Sequence, residues 1–138
     1  MLNLKRFAIF SLTGFDLATA IDEKSSYRLQ HTVSRLKALG YAFKVVKGSY
    51  KGVLETSILV ICDDDTKLDW VRNTAFQDGQ ESILVVNEDR RATLEYNPIG
   101  SDYNPEVKAI GNFRSITAIQ ATELDAWTLD GVDYYACI

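Results

Sequence analysis

Three polar side chains stand beside apolar segments, where a small ligand could reach them. Glu55 lies between a glycine-containing loop, residues 47–52, and the apolar segment 58–61, so its carboxylate is available to a cationic ligand. Gln80 stands just before another apolar segment, and its side-chain amide can both donate and accept hydrogen bonds. Tyr50, inside the glycine-containing loop, could fold over a bound ligand. Each residue also has a structural interpretation, as a solvated acid at a strand end, a turn amide and a surface tyrosine.

The sequence lacks the patterns on which nucleophilic and metal-assisted catalysis depend. It contains no GxSxG, Walker or GxGxxG motif, and no serine or cysteine has an evident histidine partner. His31 is interpreted as a solvated helix residue, and Cys62 and Cys137 as packed thiols. The acidic run 63–65 is placed to cap a helix, and no further acids follow at calcium-loop spacing. We therefore expect neither a metal nor a cofactor.

The composition excludes several classes of protein and of partner. The 138 residues are 46% hydrophobic and 25% charged, which fits a single domain spanning 1–138. The formal net charge is −4 and the basic residues are scattered, which argues against a nucleic-acid binder. The apolar stretch 7–12 is too short for a signal peptide, and no apolar run approaches the length of a membrane span. Two cysteines cannot form a disulfide framework, which favours a reducing compartment. Together these observations predict a soluble cytoplasmic protein that binds neither nucleic acid nor membrane.

Periodicity in the apolar residues predicts the elements that would position the candidate side chains. The predicted strands are 5–12, 41–46, 56–61 and 82–87, and the predicted helices end at Gly40 and Gly79. This order of strand, helix, strand, strand, helix, strand, with right-handed crossovers, predicts a ferredoxin-like sandwich. In that α+β fold, both helices cover one face of an antiparallel four-stranded sheet.

The rest of the chain is predicted to extend the sandwich. Residues 92–96 can form a hairpin with the fourth strand, 97–106 form a loop that begins a C-terminal extension, and 108–119 have strand-like apolar positions. The tail from Ala121 shows no assignable pattern. Residues 83–86 of the fourth strand are apolar on both faces, so the open face of the sheet requires a cover. A second subunit or the tail could supply it.

Five segments of the chain occur in the order found in a known family. They are His31-Thr-Val-Ser-Arg-Leu-Lys-Ala38, Gly48-Ser-Tyr-Lys51, Glu55-Thr-Ser-Ile-Leu-Val-Ile-Cys62, Gln80-Glu-Ser-Ile-Leu-Val-Val86 and Gly111-Asn-Phe113. Together they resemble the phage-encoded enzymes that degrade S-adenosylmethionine, long called hydrolases and better described as lyases. The resemblance extends from about Phe7 to Ser115.

The resemblance implies an activity and an assembly. It implies a ferredoxin-like homotrimer, with ligand sites between subunits, that converts S-adenosylmethionine to methylthioadenosine and homoserine lactone without a cofactor. In the host cytoplasm this reaction would lower S-adenosylmethionine and so act against restriction. Glu55 would be the catalytic residue, holding the α-ammonium group of the substrate directly or through a water. Tyr50, Gln80 and Ser82 would bind and orient the substrate.

Such a reaction needs no catalytic triad, because the substrate carries both a sulfonium leaving group and its own carboxylate nucleophile. Holding the carboxylate against the γ-carbon can contribute about 7–11 kcal/mol in favourable cases. Two alternatives remain open: a trimeric nucleotide-binding regulator of the PII type without turnover, and a phage inhibitor of a host protein. Glu55 argues against a phosphate site, which would favour lysine or arginine, whereas the nearby Lys47 and Lys51 keep that alternative open.

Overall fold

The protein is described here from a computed structural model, which covers residues 5–12, 23–50, 52–77, 79–97 and 106–138. The strands are β1 (Phe7–Ser11), β2 (Phe43–Tyr50), β3 (Val53–Ile61), β4 (Ser82–Val86), β5 (Arg91–Tyr96), β6 (Val107–Ile116), β7 (Ala126–Asp130) and β8 (Asp133–Cys137). The helices are α1 (Glu23–Leu39), α2 (Asp65–Gln77) and α3 (Ala118–Thr122). No helix within the described ranges is both long and apolar enough to cross a membrane.

The eight strands form one closed antiparallel barrel, in the order β1-β3-β2-β7-β8-β6-β5-β4. β1 lies between β3 and β4, so that Phe7 has Ile61 as its neighbour on one side and Val86 on the other. On the side of the barrel away from β1, β7 closes the ring of strands by pairing with β2 and with β8. Every strand of this barrel therefore has a partner along both of its edges.

The predicted ferredoxin-like sandwich is wrong, although the elements up to Val86 occur in the predicted order. In a sandwich the four-stranded sheet would stay open, with one bare face. Here β5 to β8 continue the sheet from both edges until it closes, and the face opposite the helices becomes the barrel interior. The tail that showed no pattern in the sequence is thus an integral part of the barrel wall.

The two-sided apolar pattern of β4 has its explanation within this single chain. Ile83 and Val85 belong to a core between the barrel wall and the helices, whereas Val86 belongs to a second core inside the barrel, with Leu84 packed against it. The helix-covered core also contains Phe10, whose ring meets the Trp70 indole edge to face at 6.5 Å. Two separate cores on opposite faces of one wall account for an apolar strand without a second subunit.

The helix ends follow from local sequence. Gly40 has a φ of 71° and Gly79 a φ of 80°, the left-handed conformation expected of glycine after a helix. At the start of α2, the Asp64 carboxylate accepts a hydrogen bond from the Lys67 backbone N–H at 2.9 Å, which confirms that the acidic run caps a helix. In α3, Thr117 and Gln120 form a reciprocal capping box.

Aromatic side chains fill one end of the barrel, which we call the closed end. The ring of Phe7 meets that of Phe113 edge to face at 5.2 Å, and Phe113 stacks on Tyr135 at 5.1 Å. The guanidinium group of Arg90 lies over the Phe7 ring, 5.9 Å from its centroid. This packing blocks the closed end and leaves the other end of the interior available for a ligand.

Candidate functional site

The interior at the opposite end of the barrel, which we call the open end, contains a cavity of about 550 Å³. Its polar lining includes Ser11, Glu55, Ser57, Gln80, Ser82 and Thr128. Its apolar lining includes Ile9, Leu84, Leu94 and Ile110. A volume of this size lies within the ordinary range for small-molecule sites.

Alternation along neighbouring strands turns Glu55 and two serines toward the same space. Ser11 pairs with Ser57 across β1 and β3, and Glu55 lies two residues from Ser57, on the same face of β3. The Ser11 hydroxyl donates a hydrogen bond to the Glu55 carboxylate. The open end of the β1–β3 pair therefore presents a supported carboxylate to the cavity.

Burial has the largest effect on the pKa of the Glu55 carboxyl group. Loss of solvent around this half-buried side chain raises its pKa above the ordinary value, and the hydrogen bond from Ser11 lowers the pKa in part. The ionised form is thus held in a partly desolvated place, where a cation bound beside it interacts more strongly than it would in water.

Gln80 occupies the position expected from the sequence, at the start of the β4 wall. The side chain is 7% exposed. Its backbone N–H donates to the Ala75 carbonyl at 3.0 Å, and its carbonyl accepts from the Asn97 side-chain amide at 3.2 Å. The C-terminal cap of α2 and the end of β5 together fix the place of Gln80 at the cavity.

Ser82 and Tyr50 complete the set of residues proposed from the sequence. Ser82 is half-buried at the first position of β4, paired with Tyr96, and both residues line the cavity. Tyr50 is 54% exposed and lies at the rim. It ends β2 and pairs with Val53, so the prediction that it lies in a glycine loop is wrong. All four predicted residues nevertheless line the same cavity of one chain.

The cavity carries negative charge. Glu55 and Glu81 are the charged residues of its described lining, which includes no lysine or arginine. Lys47 is exposed and outside this lining, and Lys51 lies outside the described residues. A site lined in this way attracts cations and has no described side chain that could neutralise a phosphate.

Several lining residues were missed by the sequence analysis. Ser11 and Ser57 could have been found from strict alternation along β1 and β3, had the strand ends been read outward from the apolar core. Gly48 was placed in a loop, whereas it lies within β2 and lines the cavity. Trp127 and Thr128 come from the tail, for which the sequence showed no pattern.

The remaining candidate groups show no sign of chemistry. Within the part of the chain that the structure describes, no three His, Cys, Asp or Glu side chains gather as a metal site would require. Cys62 and Cys137 are free thiols, and burial raises the pKa of each to about 11, so both stay protonated at neutral pH. His31 is exposed on α1, where its ring stacks on Tyr27 with centroids 6.4 Å apart.

One comparison relates this chain to a known family. A family model described as the S-Adenosylmethionine lyase family matches residues 16–138. That range contains every candidate residue predicted from the sequence. A search of curated proteins finds no match for the chain.

Proposed function

The chain belongs to the S-adenosylmethionine lyase family, and on that premise we propose that it converts S-adenosylmethionine to methylthioadenosine and homoserine lactone. The observation that carries this proposal is the acidic cavity at the open end, in which Glu55, Gln80 and Ser82 come together. S-adenosylmethionine bears a net positive charge, from its sulfonium and α-ammonium groups against one carboxylate. A cavity with negative charges is complementary to that ligand.

The proposed reaction is an intramolecular substitution. One oxygen of the substrate's carboxylate forms a bond to the γ-carbon while the bond from that carbon to the sulfonium sulfur breaks. The bonding electrons leave with the sulfur, which becomes the neutral thioether of methylthioadenosine, and the ring that forms is homoserine lactone. No proton moves and no outside reactant enters, so the protein has to supply only a conformation and an environment.

Glu55 would set that conformation. Its carboxylate would accept hydrogen bonds from the substrate's α-ammonium group, which fixes the direction of the adjacent carboxylate. Charge-assisted contacts of this kind contribute about 1.5–3 kcal/mol. The apolar floor formed by Ile9, Leu84 and Ile110 would exclude water from the reacting charges.

Gln80, Ser82 and Tyr50 would orient the rest of the substrate. Gln80 is buried and held through its backbone on two sides, which suits a group that must keep one geometry. Ser82 offers a hydroxyl on the same wall, and Tyr50 at the exposed rim is placed to cover the ligand. None of the three has to transfer a proton.

The lack of basic residues in the described lining weighs against a nucleotide-binding regulator of the PII type. Triphosphate ligands carry several negative charges and are bound through arginine, lysine or backbone N–H groups. Beside Glu55 and Glu81 those charges would be repelled.

We extend the proposal to the assembly and the setting: a homotrimer that acts in the cytoplasm of a phage-infected host. This part rests on the family resemblance alone. Light scattering after size exclusion should give the mass of three chains at micromolar concentration. A monomer mass would remove the trimer without affecting the proposed reaction, because the four candidate residues line a cavity of one chain.

The reaction can be tested directly. Purified protein is incubated with S-adenosylmethionine, and the products are separated by chromatography, with a protein-free blank to correct for spontaneous breakdown. We expect methylthioadenosine and homoserine lactone in equal amounts. Release of homoserine in place of the lactone from the first time point would instead indicate hydrolysis, and intact substrate would contradict the proposal.

A further inference from the structure

Gly48 differs from the other glycines of the described chain. Each of the other five has a positive φ, between 63° and 98°, and so adopts a backbone conformation that favours glycine. Gly48 has no such conformation and lies inside β2, paired with Glu55 of β3 on one side and Thr128 of β7 on the other. A glycine within a strand weakens the sheet, so its presence here needs another reason.

The surroundings of Gly48 supply that reason. A Cβ atom built at this position would lie 3.7 Å from the Trp127 carbonyl oxygen and 3.9 Å from the Ser57 hydroxyl oxygen, which are ordinary contact distances. The backbone would therefore accept a side chain without strain. Because Gly48 lines the cavity and is the direct neighbour of Glu55, any side chain would take up space beside that carboxylate.

We propose that Gly48 is a specificity-determining residue: the absence of its side chain keeps open the space beside Glu55 that receives the amino-acid end of the ligand. This inference rests on the proposed function and deepens it. The α-ammonium and α-carboxylate groups need room at the carboxylate of Glu55, whereas the adenosine part of the ligand does not. Ligands with an amino-acid end should therefore depend on Gly48, and ligands without one should not.

Two stable ligands separate these cases. S-adenosylhomocysteine and methylthioadenosine both have an uncharged sulfur and the same adenosine group, and only the first carries the amino-acid end. Neither has a sulfonium leaving group, so both allow equilibrium binding measurements. The ratio of their dissociation constants reports on binding of the amino-acid end, and its change between variants reports on the space at position 48.

The experiment compares Gly48→Ala and Gly48→Val with the natural protein, and uses Lys47→Val as a matched control. Lys47 is the exposed neighbour on the same strand, outside the cavity lining. For Gly48→Val we expect the dissociation constant of S-adenosylhomocysteine to rise by about tenfold or more, since packed sites discriminate at that level for single methyl groups. Gly48→Ala should show a smaller rise, and methylthioadenosine binding should change little in either variant.

The outcomes separate this inference from the proposed function. Equal weakening of both ligands, or no weakening in Gly48→Val, overturns the role of Gly48 while the natural protein still turns over S-adenosylmethionine. A natural protein without turnover overturns the proposed function instead. Thermal unfolding identifies a folding defect, in which case the comparison is decided by Gly48→Ala, which adds only a Cβ at ordinary contact distance.

Discussion

The open and closed ends of the barrel are built from the same strands, yet one holds a cavity and the other a packed core. Along β1, the inward residue is Phe7 at the closed end and Ser11 at the open end. Along β4, it is Val86 at the closed end and Ser82 at the open end. Alternation therefore identifies the inward face of a strand, and the change from apolar to polar along that face identifies the candidate site.

The outward faces of the same strands show no such change. Phe10 near the open end of β1 and Ile83 near the open end of β4 are both buried beneath the helices. The helices thus support the wall on which Glu55 and Gln80 are placed, while the inward face of that wall carries polar side chains at the open end. At the open end, the outward face of the wall packs in the core and the inward face carries the proposed ligand site. Within the interior, the closed end is packed and the open end holds the proposed site.

The largest effect should come from the closed end. Phe113→Ala removes a ring that contacts both Phe7 and Tyr135, and should lower the free energy of unfolding by about 3–5 kcal/mol. Chemical denaturation measures this, and Phe113→Leu should show a smaller loss. If the closed end is purely structural, the folded fraction of either variant should bind S-adenosylhomocysteine as the natural protein does. A loss of binding in the folded protein would contradict the view that the closed end serves stability and the open end serves ligand binding.

Glu55→Gln should lower turnover without lowering stability, the opposite of what we expect for Phe113→Ala. Removing the charge should lower kcat/KM for S-adenosylmethionine by about ten- to hundredfold, as expected for a contact of about 1.5–3 kcal/mol. Because burial raises the pKa of Glu55, its ionised form is disfavoured in the folded state. The variant should therefore be no less stable at neutral pH, and any gain should vanish in acid, where the natural residue is protonated. Unchanged turnover would show that the charge of Glu55 has no part in the reaction.

Ser11→Ala should act through the pKa of Glu55. The serine hydroxyl lowers that pKa, so its removal should raise it further. In the proposed mechanism the ionised carboxylate binds the substrate's cationic group, so kcat/KM should fall as the pH drops through this pKa. The acid limb of the pH profile should therefore move to higher pH in the variant. Ser57→Ala, on the same wall, is the control and should leave the position of the limb unchanged. An unmoved limb in Ser11→Ala would mean that the serine only fills space.

Tyr50→Phe should have the smallest effect. The leaving group departs neutral and the nucleophile is already ionised, so the phenolic proton has no chemical task. With the ring retained at the rim, turnover should stay within about tenfold of the natural protein, about 1.4 kcal/mol or less. A loss of several orders of magnitude, with binding intact, would show that the phenol takes part in the reaction and that the proposed mechanism is wrong.

The sequence predicted the helix-covered half of the barrel and not its closure, for a physical reason. The helices show helical apolar periodicity because each is buried on one face, and β1, β3 and β4 stand out as continuous apolar runs because both of their faces are buried. β7 and β8 are five residues each and only half-buried, so their apolar pattern is weak. The signal that was available is Asp130-Gly131-Val132-Asp133, whose two central residues form a tight hairpin turn with Gly131 at a φ of 63°.

Their places beside apolar strands indicated Tyr50, Glu55 and Gln80, and the family resemblance added Ser82; all four line one cavity. Their closeness could not be derived from an open sheet. β1 separates β3 from β4, and the curvature of the closed barrel turns the inward faces of these walls, with Glu55 and Gln80, toward one cavity. Gly48 could not be recognised either, because the role of a missing side chain depends on what lies across the strands.

The pairing of β2 with β7 has a consequence for how the protein reaches its active form. Lys47 is paired with Leu129, so this seam joins parts of the chain that are far apart in sequence. Long loops make such pairings slow to form, because their entropy must be lost before the contacts are gained. The pairing of β1 with β4 spans nearly as many residues, but α2 packs against both of those strands and supports their pairing. We therefore expect the β2–β7 seam to form later in folding than the β1–β4 pair. Since the seam supplies Gly48 and Thr128 to the cavity, ligand binding should appear in refolding experiments only with this later phase, after the helices and the helix-covered strands have formed.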